Sequence, residues 1–449
     1  MENEVTARFK LLWPLLVPAV AAIGFLACGK DPVRTGYNPD QNNVRKDQYP
    51  WVAFDAVKDL ERGTAMTLSI NRQGAEVRQV GVVFESTYEY KYQRLILCHT
   101  PEDVPIGSGD SGSPVSLSDG RIAGLLCYGF IGNSHQFAAR AIEDVMSVSD
   151  EDAGQDLAKN ESPLLKPILP VAFASGIDPA YLRRMEAADR SGFFERLAAA
   201  KPIAKSSGLE KPSSAAAVSI IPGVSIAVLE MSGDLVDMGA IGTLGIIDSD
   251  KLYAFGHAYS PYPTPLAAPA LLVNTATFIE SGVTGFKYAA PTQDTIGAFT
   301  GQSGYGILIR EGMRPRTFPA AVSVLYADSL PTVYSHRIVN TQSVAYEKFL
   351  AAFAAGYSVY AHLPSFLDTD SLFARCNVRI VFESGALDTT FQLDGTAFID
   401  EDILDFIDQE LKVEETGPHI VDFQAEIAVS QKREEVALNR RCVHRPGHF

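Results

Sequence analysis

Apolar and polar positions change rhythm several times along the chain. From residue 50 to 148, apolar side chains recur at close to every second position, as in "GTAMTLSI" and "AEVRQVGVVF". That is the period of half-buried strands, although the alternation is imperfect. Asp119-Gly120 predicts a hairpin turn before "RIAGLLCYGF". Residues 149–217 differ: "SDEDAGQD" is an acidic loop, and "IDPAYLRRMEAADRSGFFERLAAA" predicts a helix capped by Asp178 with Pro179 in its first position. "KPIAKSSGLEKPSSAAA" then has the composition of a linker.

Strand-like patterning resumes at "VSIIPGVSIAVLEM" and continues to about residue 328. Residues 343–356, "SVAYEKFLAAFAAG", carry a helix-spaced apolar stripe better suited to core packing than to a membrane. Strands return in "NVRIVFES" and "HIVDFQAEIAVSQ", with a helical stretch near 401–412. The predicted organisation is mainly β: a half at 50–148, a helical and Pro/Ser-rich connector at 149–217, a second half at 218–328, and a C-terminal α+β or β-rich module at 329–449.

The N-terminus departs from this pattern. A basic flank, "RFK", precedes 17 apolar residues from Leu11 to Ala27 that include Pro14 and Pro18. The run is short for a membrane span and suits a secretory signal. Its end, "FLAC", resembles the lipobox of bacterial lipoproteins, although Phe25 and Leu26 depart from the commonest form. Residues 1–28 are thus expected to be a signal peptide, Cys28 a lipidated residue, and 29–49 a tether. A plain signal peptide or uncleaved anchor is the alternative. Lipidation of Cys28 leaves Cys98, Cys127, Cys376 and Cys442, an even set that permits Cys98–Cys127 and Cys376–Cys442 disulfides or four buried thiols. No C-x-x-C occurs and the eight histidines are scattered, so no metal or other cofactor is expected. A net charge of −16 disfavours nucleic acid as a partner.

Candidate chemistry concentrates in "GSGDSGSPV", residues 107–115. A dinucleotide-binding loop must open a helix, and Pro114 followed by "VSLSDG" gives a strand and a turn instead. A nucleophile elbow fails as well, because position 113 is Ser. What fits is a serine nucleophile, Ser111, between Gly109 and Gly112, with the Gly109 and Ser111 amides as an oxyanion hole. A Gly-rich turn without chemistry is the alternative. A base is needed, and His257 is the conspicuous candidate. The hairpin tip Asp248-Ser249-Asp250 returns a strand that ends at Gly256-His257. The tip carboxylates suit a turn, and His444 and His448 suit a terminal tail.

Together these blocks resemble the stage-IV sporulation (SpoIVB-type) serine peptidases. "AIGTLGIIDSDKLYAFGHAYS" is similar to that family's histidine block, "IGAFTGQSGYGILI" to the strand segment after it, and "GSGDSGSPVSLSDGRIAGLLCYGF" with "ARAIEDVM" to its serine block. The resemblance implies a two-barrel, chymotrypsin-like core with Ser111 as nucleophile and His257 as general base. It also implies limited cleavage of polypeptides, including the chain itself. The N-terminal run and "FLAC" separately lead to the expectation of an exported, lipid-anchored protein on the periplasmic or cell-surface face of a bacterial membrane. The serine block here precedes the histidine block, so the halves are expected to be swapped in chain order, which a catalytic constellation tolerates. The family's acid would fall near "CHTPED", where His99 and Thr100 are followed by Glu102 and Asp103; Asp103 is the candidate. No peptide-binding segment precedes the blocks. The competing expectations are an inactive scaffold or sensor lipoprotein that keeps the fold, and an acyl hydrolase for small esters.

Overall fold

The computed structural model describes residues 49–431, apart from 91–92, 102, 153–163, 169, 189–218, 260–264, 281–284, 328, 364–371, 397–398 and 411–416. The expected signal segment, Cys28, the tether up to residue 48, the Pro/Ser-rich linker and Cys442 lie outside the described residues.

A short helix, α1 (Phe54–Lys58), leads into strands β1 (Ala65–Gln73), β2 (Glu76–Tyr90), β3 (Gln93–His99), β4 (Gly107–Ser108), β5 (Pro114–Leu117), β6 (Ile122–Phe130) and β7 (Asn133–Ala141). All but β4 form a closed circuit in which β1 pairs β2, then β3, β7, β6, β5 and β1 again. Closure leaves a barrel without free edges around its circuit. Its interior holds Leu68, Ile70, Val82, Phe84, Ile96, Leu126 and Phe137. The expected Asp119-Gly120 turn closes β5 onto β6, with the Leu117 amide donating to the Arg121 carbonyl.

After α2 (Ile142–Met146), β8 (Leu165–Pro167), β9 (Val171–Ser175) and α3 (Pro179–Ala188), a second set follows. It comprises β10 (Ser225–Gly233), β11 (Asp237–Asp248), β12 (Lys251–Ala254), β13 (Ala268–Ile279), β14 (Gly285–Ser303) and β15 (Gly306–Glu311). Here β10 pairs β11, then β12, β15, β14, β13 and β10 again. Both circuits run first, second, third, sixth, fifth, fourth strand. The chain is therefore mainly β, with one six-strand closure repeated in two successive halves. Asp178 accepts from the Ala180 amide at 2.7 Å, as expected for the cap of α3.

The barrels share an apolar seam. Ile122, Leu125 and Val145 from the first meet Ile246, Tyr253 and Leu308 from the second. Strands at the seam are buried on both faces, and seven consecutive residues of β6 are buried. This explains the imperfect alternation in the sequence. Burial of each such aliphatic side chain contributes about 1.5–3 kcal/mol.

Beyond the second barrel, β16 (Thr317–Tyr326), β17 (Thr332–Val339), β18 (Leu372–Phe382), β19 (Gly385–Thr396) and β20 (Ile420–Ser430) extend its sheet through a β10–β17 pairing. Strand β16 alternates cleanly, since one of its faces packs under α4 (Val344–His362), and β18 alternates over most of its length. Ser343 caps that helix by accepting from the Tyr346 amide. The helix expected near 401–412 begins at Ile399. No helix among the described residues is long and apolar enough to cross a membrane.

The expected Cys98–Cys127 disulfide is absent: both are buried free thiols, as is Cys376. Cys98 packs inside the first barrel, whereas Cys127 belongs to a separate cluster with Leu95, Tyr128 and Ala138. Strand β7 runs between β3 and β6, too wide a separation for a disulfide. Burial pushes the Cys98 thiol up to about 12 and Cys127 to about 11, which leaves both unreactive.

Candidate functional site

Ser111 lies in the connection between the third and fourth barrel strands of the first half, and His257 in the matching connection of the second. The serine turn closes on itself: the Asp110 amide donates to the Gly107 carbonyl, and the Ser113 amide to Asp110. Gly112 has φ +91°, and a Cβ there would lie 2.2 Å from the Thr243 carbonyl oxygen and 2.5 Å from the Phe255 nitrogen. Only glycine meets both demands. Strand β11 pins the turn across the seam, since the Thr243 amide donates to the Ser111 carbonyl and Thr243 Oγ1 to the Gly109 carbonyl, each at 2.9 Å. Residues of β4 add a parallel pairing to β14.

Asp110 anchors the same turn. Its carboxylate accepts from the Gly107 amide at 3.1 Å, meets Arg72 Nη2 at 3.0 Å and lies 3.7 Å from Lys287 Nζ. Asp110 and Lys287 are both completely buried. Lys287 donates to Thr243 Oγ1 at 2.9 Å and to Ser225 Oγ at 3.1 Å. Desolvation pushes its ammonium down to about 8, against the opposing pull of Asp110. Two cations thus fix the residue between the two proposed oxyanion amides. Of this cluster only Asp110 stands in the motif at residues 107–115; Arg72, Ser225, Thr243 and Lys287 carry no signal in the sequence.

His257 follows β12 through two residues with positive φ, Phe255 at 67° and Gly256 at 64°. The Tyr259 amide, just beyond, donates to buried Gln302 in the β14–β15 hairpin at 2.9 Å. His257 Nδ1 lies 2.7 Å from the Ala258 carbonyl oxygen and Nε2 lies 2.8 Å from that of Ile168. Burial lowers its basicity, and the two carbonyl contacts work the other way. A neutral imidazole has a single N–H and donates to one of these carbonyls.

One residue of β6 joins the two connections. The Leu126 carbonyl accepts from the Gly112 amide at 2.8 Å, and the Leu126 amide donates to Ser113 at 2.9 Å. A Cβ on Gly256 would lie 2.7 Å from that same Leu126 oxygen. The residue after Ser111 and the residue before His257 therefore converge on one carbonyl. The two side chains are not hydrogen-bonded: Ser111 Oγ is fully buried and has no hydrogen-bond partner, and both His257 nitrogens face backbone carbonyls. The expected acid is also corrected. Asp103 is exposed on a loop, and His257 Nδ1 faces the Ala258 carbonyl in its place. Backbone, and not a carboxylate, orients the ring. Among the described residues no cluster of His, Cys, Asp and Glu is suited to a metal ion.

No family model and no curated protein matches the chain. Among solved structures, a superantigen-like protein from Staphylococcus aureus, crystallised in complex with sialyl-Lewis X, is similar over 45% of this chain and 93% of its own. The identity is 11% and the TM-score 0.15, a likeness that carries no structural argument.

Proposed function

We propose that the chain is a serine endopeptidase that performs limited proteolysis with Ser111 and His257. One observation carries this reading: equivalent connections of two barrels meet at Leu126, one bearing a hydroxyl and the other an imidazole. Ser111 Oγ attacks a peptide carbonyl while His257 Nε2 takes its proton. The amides of Gly109 and Ser111 receive the oxyanion as it forms. The imidazolium then protonates the departing amine, and water hydrolyses the acyl-enzyme with His257 again as base. Asp110, held by Arg72 and Lys287, is a positioning residue for the two amides. Nε2 must part from the Ile168 carbonyl before it can accept the serine proton.

The resemblance to the sporulation peptidases supports polypeptide as the substrate. With the apolar N-terminal run and "FLAC", it also supports export to a bacterial cell surface or periplasm with a lipid at Cys28. Fluorophosphonate treatment of the purified protein, followed by mass mapping, tests the chemistry. The expected adduct is on Ser111; an adduct confined to another serine overturns the assignment.

A second reading has its own observation. The unpartnered Ser111 Oγ and the doubly occupied His257 suit an inactive scaffold that keeps the fold. Absence of any adduct at Ser111 under prolonged labelling favours that reading.

A further inference from the structure

Strand β6 has one edge shared by two partners. Strand β5 takes its first part, with Pro114 opposite Leu125, and the serine turn takes Leu126. The next acceptor along, the Cys127 carbonyl, receives the Ile168 amide at 2.9 Å. From there β8 runs antiparallel, with Pro167 opposite Tyr128, Lys166 opposite Gly129 and Leu165 opposite Phe130. The Ile131 amide closes the ladder on the Leu164 carbonyl at 3.0 Å. Residues 164–168 thus lie along β6 as an added strand whose C-terminal end arrives beside the Ser111 turn.

The fit is specific. Pro167 occupies a non-hydrogen-bonded position, between the Ile168–Cys127 bond and the Lys166–Gly129 pair, so its missing N–H leaves no gap in the ladder. Ile168 is buried with the core of the first barrel. Its side chain packs over Gly129, where a Cβ would make ordinary van der Waals contact with Ile168 Cγ1 at 3.5 Å. The Ile168 carbonyl takes the His257 nitrogen that the proposed chemistry needs.

We infer that residues 164–168 are an intramolecular competitor, seated on the β6 edge at Cys127–Phe130 where the peptidase reading places an extended polypeptide, and that Ile168 marks an aliphatic residue as the one this edge takes at the C-terminal end. The inference rests on the peptidase reading for the fate of a bound chain, and on strand addition alone for the binding. A substrate displaces the strap, pairs with Cys127 and Gly129 and places its aliphatic residue against Gly129. Its next peptide bond then lies at Ser111, and Nε2 of His257 is free. While the strap is seated, its carbonyl blocks the base and its backbone fills the site.

The test uses the full chain carrying Leu165→Gly, Lys166→Ser and Ile168→Gly, with Ile168→Ala as a milder companion, each checked for native circular dichroism and cooperative melting. The probe is fluorescent acetyl-Leu-Leu-Lys-Pro-Ile-amide, followed by anisotropy, alongside fluorophosphonate labelling of Ser111. A tethered competitor acts at high effective concentration, so the strap variant should bind the peptide at least about tenfold more tightly than wild type. It should also label at least about tenfold faster, and added peptide should slow that labelling. Folded variants that bind no peptide and label no faster than wild type overturn the strap. Peptide binding without any Ser111 adduct in either protein keeps the site and removes the peptidase. Equal labelling with no peptide binding removes the site and keeps the peptidase.

Discussion

The carbonyl oxygen of Ile168 lies 2.8 Å from Nε2 of His257, while the amide of the same residue donates to Cys127 beside the Ser111 turn. One residue of a connecting segment therefore stands between the candidate base and the strand that holds the candidate nucleophile. Under the proposed function, this relationship separates the described conformation from a reactive one and makes the proposed chemistry conditional on moving a few residues of backbone.

Removal of the Asp110 charge should expose the cost of a buried cation. Asp110→Asn leaves Lys287 without its counter-charge in a fully buried site, for a loss of about 3–5 kcal/mol. The double variant Asp110→Asn/Lys287→Met should recover much of that loss, because it removes the orphaned ammonium as well. Urea denaturation of the two single variants and the double variant measures the coupling, and strictly additive losses contradict it.

Lys287 also predicts an alkaline signature. Its folded pKa of about 8 lies below the ordinary 10.5, so between those values the unfolded chain holds the proton that the folded one has released. Its contribution to stability is fully present above about 10.5 and is lost as pH falls through about 8. Lys287→Met should flatten that segment of the stability–pH curve by up to about 1.4 kcal/mol per pH unit, read from melting or denaturant midpoints. An unchanged slope contradicts the assignment.

His257 predicts the acid side. Burial holds the imidazole below the ordinary value of 6.5, so the folded state favours the neutral ring. Its stabilising contribution is present above 6.5 and is lost as pH falls through the depressed folded value. Titration of the ring by NMR should show a midpoint below that of an exposed histidine. A midpoint above 6.5 contradicts this account of its environment.

The serine turn should tolerate no Cβ at Gly112. Gly112→Ala combines a positive φ with an approach of 2.2 Å to the Thr243 oxygen, and should cost about 3 kcal/mol or more. Gly120→Ala is the control, because its φ of +87° is similar but nothing lies within 4 Å. That substitution should cost only about 1–2 kcal/mol. Equal losses from the two substitutions would remove the close approach as the cause.

What the sequence disclosed divides along physical lines. Hairpins at Asp119-Gly120 and Asp248–Asp250 were legible because their turn residues act locally, and the cap at Asp178 for the same reason. Closure of two equivalent barrels was anticipated only through family resemblance, since strand pairing is a non-local choice. The Asp110–Lys287–Arg72 cluster was illegible: its members come from a turn and two strands far apart in the chain, and nothing beside Lys287 in "GFKYAAP" announces a buried cation. The strap was illegible too, because "LLKPI" carries no period of its own and gains meaning only from the open edge of β6. The disulfide expectation failed because counting cysteines says nothing about which sheet face each one occupies.

The most direct test of the account is the rate of fluorophosphonate labelling in wild type, Ser111→Ala and His257→Ala, each shown to melt with the native transition. The account predicts a Ser111 adduct in wild type, none in Ser111→Ala, and a rate about 10²–10⁴-fold lower in His257→Ala. Labelling of His257→Ala at the wild-type rate, or an undiminished adduct in Ser111→Ala, would contradict the claim that these two connections form one catalytic site.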